Sequence, residues 1–154
     1  MEAAGHRPAA VGLIALSLGG FYGATTLAHE SRIAAGVIIS GPSSVTWQLL
    51  PPPVQLILTQ RYNGDEAAAR RFADAIDVEP IAAKITQPLL VVDGTSDVIA
   101  GVANGELLAQ LAINGSHLMI DDGDHLVGNR RPEWLPKAGD FLHQHLAVDR
   151  EKRH

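Results

Sequence analysis

Apolar residues fall along this chain in short continuous runs, each closed by small or turn-forming residues. The runs at 10–16 (AVGLIAL), 34–40 (AAGVIIS) and 89–93 (LLVVD) lack polar alternation, as strands buried on both faces of a parallel sheet do. A fourth strand is predicted at 117–121 (HLMID). Helices are predicted between and after them. The one at 19–30 sets Gly20, Gly23 and Ala24 against the sheet, and 102–111 carries Leu107, Leu108 and Leu111 on one side. The last, 133–146, is apolar at Trp134, Leu135, Ala138, Phe141, Leu142 and Leu146. Strand, helix and strand over 10–40 make a crossover that is right-handed by the general rule. The alternation predicts an α/β domain with a mainly parallel sheet of about four strands, flanked by helices.

Residues 43–87 break the alternation. Trp47, Leu49, Leu50 and prolines 51–53 precede a helix-like stretch at 54–62, which Asn63-Gly64 ends. Asp65 then caps a helix predicted at 66–76, with Arg70, Arg71 and Asp74 on its open side. An excursion of this kind reads as a helical lid, or one wall of a pocket with Trp47 in it, inside a single domain spanning 1–154. A packed helical connection without substrate contact is the plainer reading.

Composition narrows the function classes. With 17 acidic against 12 basic residues and a net charge of −5, the chain lacks the clustered basic surface that nucleic-acid binding needs. Arg70-Arg71, Arg130-Arg131 and the tail at 150–154 read as solvated faces and ends. There is no cysteine, hence no disulfide and no thiol nucleophile. Arg7 and the apolar stretch at 8–18 faintly imitate a secretory leader. Glu2 spoils its basic start, however, and Ser17, Gly19 and Gly20 interrupt it. No stretch approaches the ~20 apolar residues of a membrane helix. A soluble, cytoplasmic protein without a membrane partner is the expectation.

Three turns then carry the candidate chemistry, each after an apolar run: Ala15-Leu-Ser17-Leu-Gly19-Gly20, Gly94-Thr-Ser-Asp97 and Asp122-Gly-Asp-His125. A serine hydroxyl is a poor nucleophile until a neighbouring base takes its proton. A sharp strand-to-helix turn exposes such a hydroxyl above the positive end of a helix. Small residues are needed two positions to either side; Gly19 meets this, and Ala15 stands where glycine is usual. His125 sits in a turn after a strand, whereas His143 and His145 belong to a helix and His117 opens a strand. His6, His29 and His154 have no motif around them. Asp97 is carried out past the third strand by its turn, with Asp93 as competitor for the role of acid. Asp121, Asp122 and Asp124 read as turn chemistry rather than a metal site, since no calcium-loop spacing is present. No cofactor motif appears: the first strand–helix turn lacks Gly-x-Gly-x-x-Gly.

Ser17 in its elbow, Asp97 after Leu-Val-Val-Asp-Gly-Thr-Ser and His125 after Asp-Asp-Gly-Asp together resemble the triad of the α/β-hydrolase superfamily. The stretch 14–146 is similar to the branch that contains 2,6-dihydroxypseudooxynicotine hydrolase and the fermentation-respiration switch esterase-like proteins. Ser17-Leu-Gly-Gly-Phe-Tyr-Gly, Arg32-Ile-Ala-Ala, Ser40-Gly and the two later turns carry that likeness. The resemblance implies a partial α/β-hydrolase fold whose strands match the fifth to eighth of the family's sheet, the N-terminal half being absent. It implies one oxyanion donor, the backbone N–H of Leu18, and leaves the second without a counterpart. It also implies that the Ser17 strand, central in the full sheet, has an open apolar edge here, which invites a second copy or an N-terminal partner segment.

The expected function is therefore a Ser–His–Asp hydrolase of a small-molecule carbonyl substrate, an ester or acyl bond. No Asp or Glu falls between 41 and 63 to assist carbon–carbon cleavage of a diketone-type substrate, which is the alternative within the branch. A noncatalytic fragment that keeps the triad residues by inheritance is the alternative from a different class.

Overall fold

A computed structural model gives the structure of residues 10–100 and 104–151. The leader-like start with Glu2, His6 and Arg7, the first two residues of the predicted 102–111 helix, and 152–154 of the basic tail lie outside the described residues.

Four parallel strands form one sheet in the order β1 (Val11–Leu16), β2 (Ile33–Ile39), β3 (Leu89–Gly94), β4 (Gly115–Ile120). Leu16 pairs with Ile39, Ile39 with Val92, and Gly94 with Ile120, so all four strands end at the same edge of the sheet, β3 and β4 two residues beyond β1 and β2. The helices are α1 (Leu18–His29), α2 (Pro52–Arg61), α3 (Glu66–Asp74), α4 (Glu79–Ala82), α5 (Glu106–Leu111) and α6 (Arg131–Glu151). Period-2 alternation divides the core between two faces. Ile38, Leu89 and Val91 pack with Leu27 of α1 and Leu108 of α5, while Val37, Ile39, Leu90 and Val92 pack under Trp134 and Ala138 of α6.

Several boundaries move for local reasons. The helix predicted to start at 54 begins at Pro52, because proline fits the first helical turn, where its missing N–H costs nothing. It ends where Asn63 and Gly64 turn left-handed (φ 54° and 87°). Asp65 caps α3 as predicted, its Oδ1 accepting from the Ala68 N–H at 2.9 Å. His117 does not open its strand; β4 begins two residues earlier, at Gly115. Trp47 is buried against Ala69 and Ala73 of α3 as a small core of the 43–87 excursion.

β1 is an edge strand. Val11, Ile14 and Leu16 are each about half exposed, whereas β2 and β3 are buried almost throughout. Its partner face is set by close approach. A Cβ on Gly20 of α1 would lie 2.6 Å from the Gly41 Cα, and one on Gly23 would lie 2.7 Å from the Ala15 Cβ. Gly23 thus makes the room that lets alanine stand where the elbow usually has glycine.

Gly20→Ala sets a helix-propensity gain of about 1 kcal/mol against an overpacking cost of roughly 1–3 kcal/mol or more. The obstruction at Gly41 is backbone and does not swing aside, so the expected outcome is a lower urea midpoint at unchanged m-value. A raised midpoint would show that α1 does not seat on the turn after β2 as described.

Candidate active site

Ser17 occupies the single residue between β1 and α1, with φ 51° and ψ −132°. That is a strained backbone for a residue with a Cβ, and it turns the side chain out of the strand line. Two main-chain bonds hold it: its N–H donates to the Ile39 carbonyl at 2.9 Å, and its own carbonyl accepts from the Gly20 N–H at 2.7 Å. Leu18, the first residue of α1, has an N–H with no intrahelical partner by its position.

Asp97 and His125 arrive from two neighbouring turns that touch. A Cβ on Gly94 would lie 2.2 Å from the Gly123 carbonyl oxygen, so the turn after β3 and the turn after β4 meet at two glycines. The Thr95 N–H donates to Ile120 O, the Ser96 N–H to Gly123 O and the Asp122 N–H to Thr95 Oγ1. Asp124 caps its own turn, its Oδ1 accepting from the Gly128 N–H at 2.7 Å.

These supports bring the three predicted residues together. His125 Nε2 lies 2.8 Å from Ser17 Oγ, and His125 Nδ1 lies 2.9 Å from Asp97 Oδ2. An ionised carboxylate only accepts, so Nδ1–H donates to Asp97 and Nε2 is left to accept the Ser17 proton. This is a Ser–His–Asp triad geometry. Asp97 is almost fully buried. Burial alone would raise its pKa, but the bond from His125 and the N–H groups of Ile99 and Ala100 on Oδ1 outweigh it, and the carboxyl sits below its ordinary value.

Asp93, the competitor, is committed elsewhere. It lies inside β3, nearly fully buried, with Oδ2 2.8 Å from His117 Nε2 on β4. Desolvation raises its pKa, the His117 bond opposes that rise, and the nearby Asp97 charge adds to it. Asp122 pairs with Arg130 at 3.3 Å. Among the described residues no group of three or more His, Asp or Glu side chains is placed to hold a metal ion.

A cavity of about 320 Å³ opens beside Ser17 and Leu18. Leu58 of α2, Phe72 of α3 and Ile76 form part of its wall, with Val98 and Ile99 from the acid turn. Every described lining residue is uncharged. Trp47 is not among them, contrary to expectation, because its ring is used in the core under α3. Asn104 lines the cavity with its amide already engaged: Oδ1 accepts from the Ser43 and Ser44 N–H groups, and Nδ2 donates to Ser44 O and Ala100 O. It ties the start of the excursion to the acid turn, a link that no local sequence pattern announces.

The chain is similar to 2,6-dihydroxy-pseudo-oxynicotine hydrolase, with 23% identity, a TM-score of 0.80, and 96% of this chain covering 43% of that one. It is similar to the enol-lactonase of Burkholderia xenovorans LB400 (21% identity, TM-score 0.67, 88% of this chain and 66% of that one). An esterase of Pyrococcus furiosus matches at 18% identity and a TM-score of 0.68, over 91% of this chain and 55% of that one. The fold is that of an α/β-hydrolase core. No protein-family model and no curated protein sequence matches the chain. The chain spans from less than half to about two thirds of the length of those three solved structures. Among the described residues no helix is long and apolar enough to cross a membrane.

The depressed Asp97 carboxyl sets a pH dependence. Its contribution to stability is complete above the unfolded carboxyl pKa of about 3.9 and is lost as pH falls through the lower folded value. The stability gap between wild type and Asp97→Asn is expected to narrow on acidification below that point. Urea denaturation across a pH series measures it, and a gap that does not change would contradict an ionised Asp97 held by His125.

Proposed function

We propose that the protein is a serine hydrolase that cleaves an ester or acyl bond in a small, largely uncharged substrate. The observation that carries the reading is the unbroken chain Ser17 Oγ, His125 Nε2, His125 Nδ1, Asp97 Oδ2, at 2.8 and 2.9 Å. In this reading Ser17 attacks the carbonyl as His125 takes its proton, and His125 then returns that proton to the leaving group. Asp97 keeps the imidazole in the Nδ1–H form and stabilises its protonated state. The Leu18 N–H, at the positive end of α1, is one oxyanion donor. The uncharged cavity beside Ser17 supports a neutral acyl or alcohol portion, and residues 43–87 act as the lid over it, inside one domain.

The likeness to 2,6-dihydroxy-pseudo-oxynicotine hydrolase supports a place in that branch and, as a second reading, carbon–carbon bond hydrolysis of a diketone-type substrate. The absence of any carboxylate among the described residues of the cavity wall favours the ester reading. The exposed edge of β1 supports a further strand alongside it, supplied by a second copy or by an N-terminal partner segment, which also carries the second oxyanion donor.

Intact-mass analysis after exposure to a fluorophosphonate tests the reading. One adduct is expected on the wild type and none on Ser17→Ala, with His125→Ala labelled at least ~10²-fold more slowly. No adduct on demonstrably folded protein would favour the noncatalytic reading. Turnover of a short p-nitrophenyl ester but not of a diketone separates the two chemistries. Sedimentation at micromolar concentration is expected to show self-association, and a monodisperse monomer would remove the second copy from the proposal.

A further inference from the structure

The turn that carries His125 is held in a conformation its own residues do not favour. Leu126 and Val127 have φ of 67° and 50°, left-handed values at which a β-branched valine is among the least suited residues. Such backbone persists only where its surroundings over-determine it. Part of the restraint is local: the Val127 side chain is fully buried, and the Trp134 Nε1–H donates to the Val127 carbonyl at 2.9 Å. Bonds within the turn hold Asp124, and at the residue after His125 a further restraint comes from the end of β2. Ser40 Oγ accepts the Leu126 N–H at 3.0 Å, across 86 residues of chain.

Ser40 is itself unusual. It is fully buried, it follows β2 directly, and its φ of 49° is left-handed although it is not glycine. Its N–H donates to the Val92 carbonyl at 2.9 Å, and the carbonyl of Ile39 accepts the Ser17 N–H at 2.9 Å. Residues 39 and 40 therefore bond to the nucleophile residue, to the strand that leads to Asp97, and to the residue after His125.

We propose that Ser40 is a positioning residue: through Leu126 it holds the His125 ring at hydrogen-bond distance from Ser17 Oγ. The inference rests on the triad roles given above. Position 40 requires a group small enough for a sealed site that also accepts a hydrogen bond, because a buried N–H left without an acceptor drives the turn to relax. His125 is bonded on one side to Ser17, at the end of β1, and on the other to Asp97, beyond β3. A displaced backbone at 126 lengthens one or both of those bonds.

The test compares wild type with Ser40→Ala, Ser40→Gly and Ser40→Cys. Two quantities are read: the rate of Ser17 labelling by a fluorophosphonate, and the His125 ring signals in ¹H–¹⁵N spectra. Glycine relieves the left-handed strain at 40 while removing the acceptor, so that variant carries the comparison if alanine fails to fold. Cysteine keeps the shape and offers only a weak acceptor. The expected result is labelling slowed roughly 10-fold or more in all three, on the scale that a small misplacement costs, with shifted or broadened His125 signals and intact folded spectra elsewhere. Wild-type labelling and unchanged His125 signals in Ser40→Ala or Ser40→Gly would overturn it. So would a normal Ser40→Cys beside a defective Ser40→Ala, since shape alone would then suffice. If the wild type itself is not labelled, the hydrolase reading fails. The His125 signals still decide the role of Ser40, shifted signals supporting it and unchanged ones overturning it.

Discussion

Parallel pairing that ends all four strands at the same edge of the sheet is the constraint on which the rest of the molecule depends. It places four turns side by side, and crowding follows from that. The turn after β3 and the turn after β4 meet at Gly94 and Gly123, and the start of α1 rests on Gly41 after β2. The same edge gathers the strained backbone. Among the described residues, six non-glycine residues have positive φ; Ser17, Ser40, Asp122, Leu126 and Val127 lie there, and Asn63 lies elsewhere. Strain confined to one rim of an otherwise regular sheet is stored where side chains must be aimed, and hydrogen bonds between turns offset it. The bonds Ser17 N–H to Ile39 O, Leu126 N–H to Ser40 Oγ and Asp122 N–H to Thr95 Oγ1 are of that kind.

Two aspartates four residues apart show how position within that rim decides chemistry. Both are buried, and burial penalises the charged form of each. Asp97 stands beyond the strand, where its turn folds back to present the N–H groups of Ile99 and Ala100 and where His125 reaches it. Its charge is compensated and its pKa falls. Asp93 remains inside β3, where the strand's own N–H groups are occupied by the ladder. His117 and the Gly105 N–H compensate it only in part, and the neighbouring Asp97 charge opposes its ionisation. The residue that leaves the strand can therefore stay ionised beside an imidazole more readily than the one that stays in it.

The strands and the three triad residues were legible in the sequence because each strand is an unbroken apolar run and each triad residue lies in the turn that ends one. What joins the turns was not legible. Ser40 looks like the last residue of a strand, and its bond to Leu126 appears only once β2 and the His125 turn are neighbours. Asn104 bonds to Ser43 and Ser44, 61 and 60 positions away, for the same reason. The Asp93–His117 pair depends on register: Val91 stands opposite His117, which brings Asp93 within reach, and a strand start placed at His117 concealed it. Trp47 misled differently. A large aromatic beside an apolar helix suits a pocket wall and a small core equally, and only the packing of α3 against it decides between them.

Ser17 stands at the end of the least enclosed strand. β1 has β2 on one side and an exposed apolar edge on the other, yet the groups that aim Ser17 all lie on the enclosed side. Among the described residues, the hydrogen bonds that hold Ser17, Asp97 and the His125 turn run between residues numbered 17 to 134. The close contact at Gly20 is with the turn after β2. Triad geometry is consequently a property of the sheet from β1 to β4 and does not depend on what pairs with the open edge. Stabilising a tetrahedral oxyanion is a separate demand. In the proposed mechanism it calls for donors converging from more than one direction, the Leu18 N–H being one of them. Alignment of Ser17 with His125 and Asp97 is therefore built into this sheet, whereas in the proposed mechanism stabilisation of the oxyanion also calls for a donor from outside the elbow.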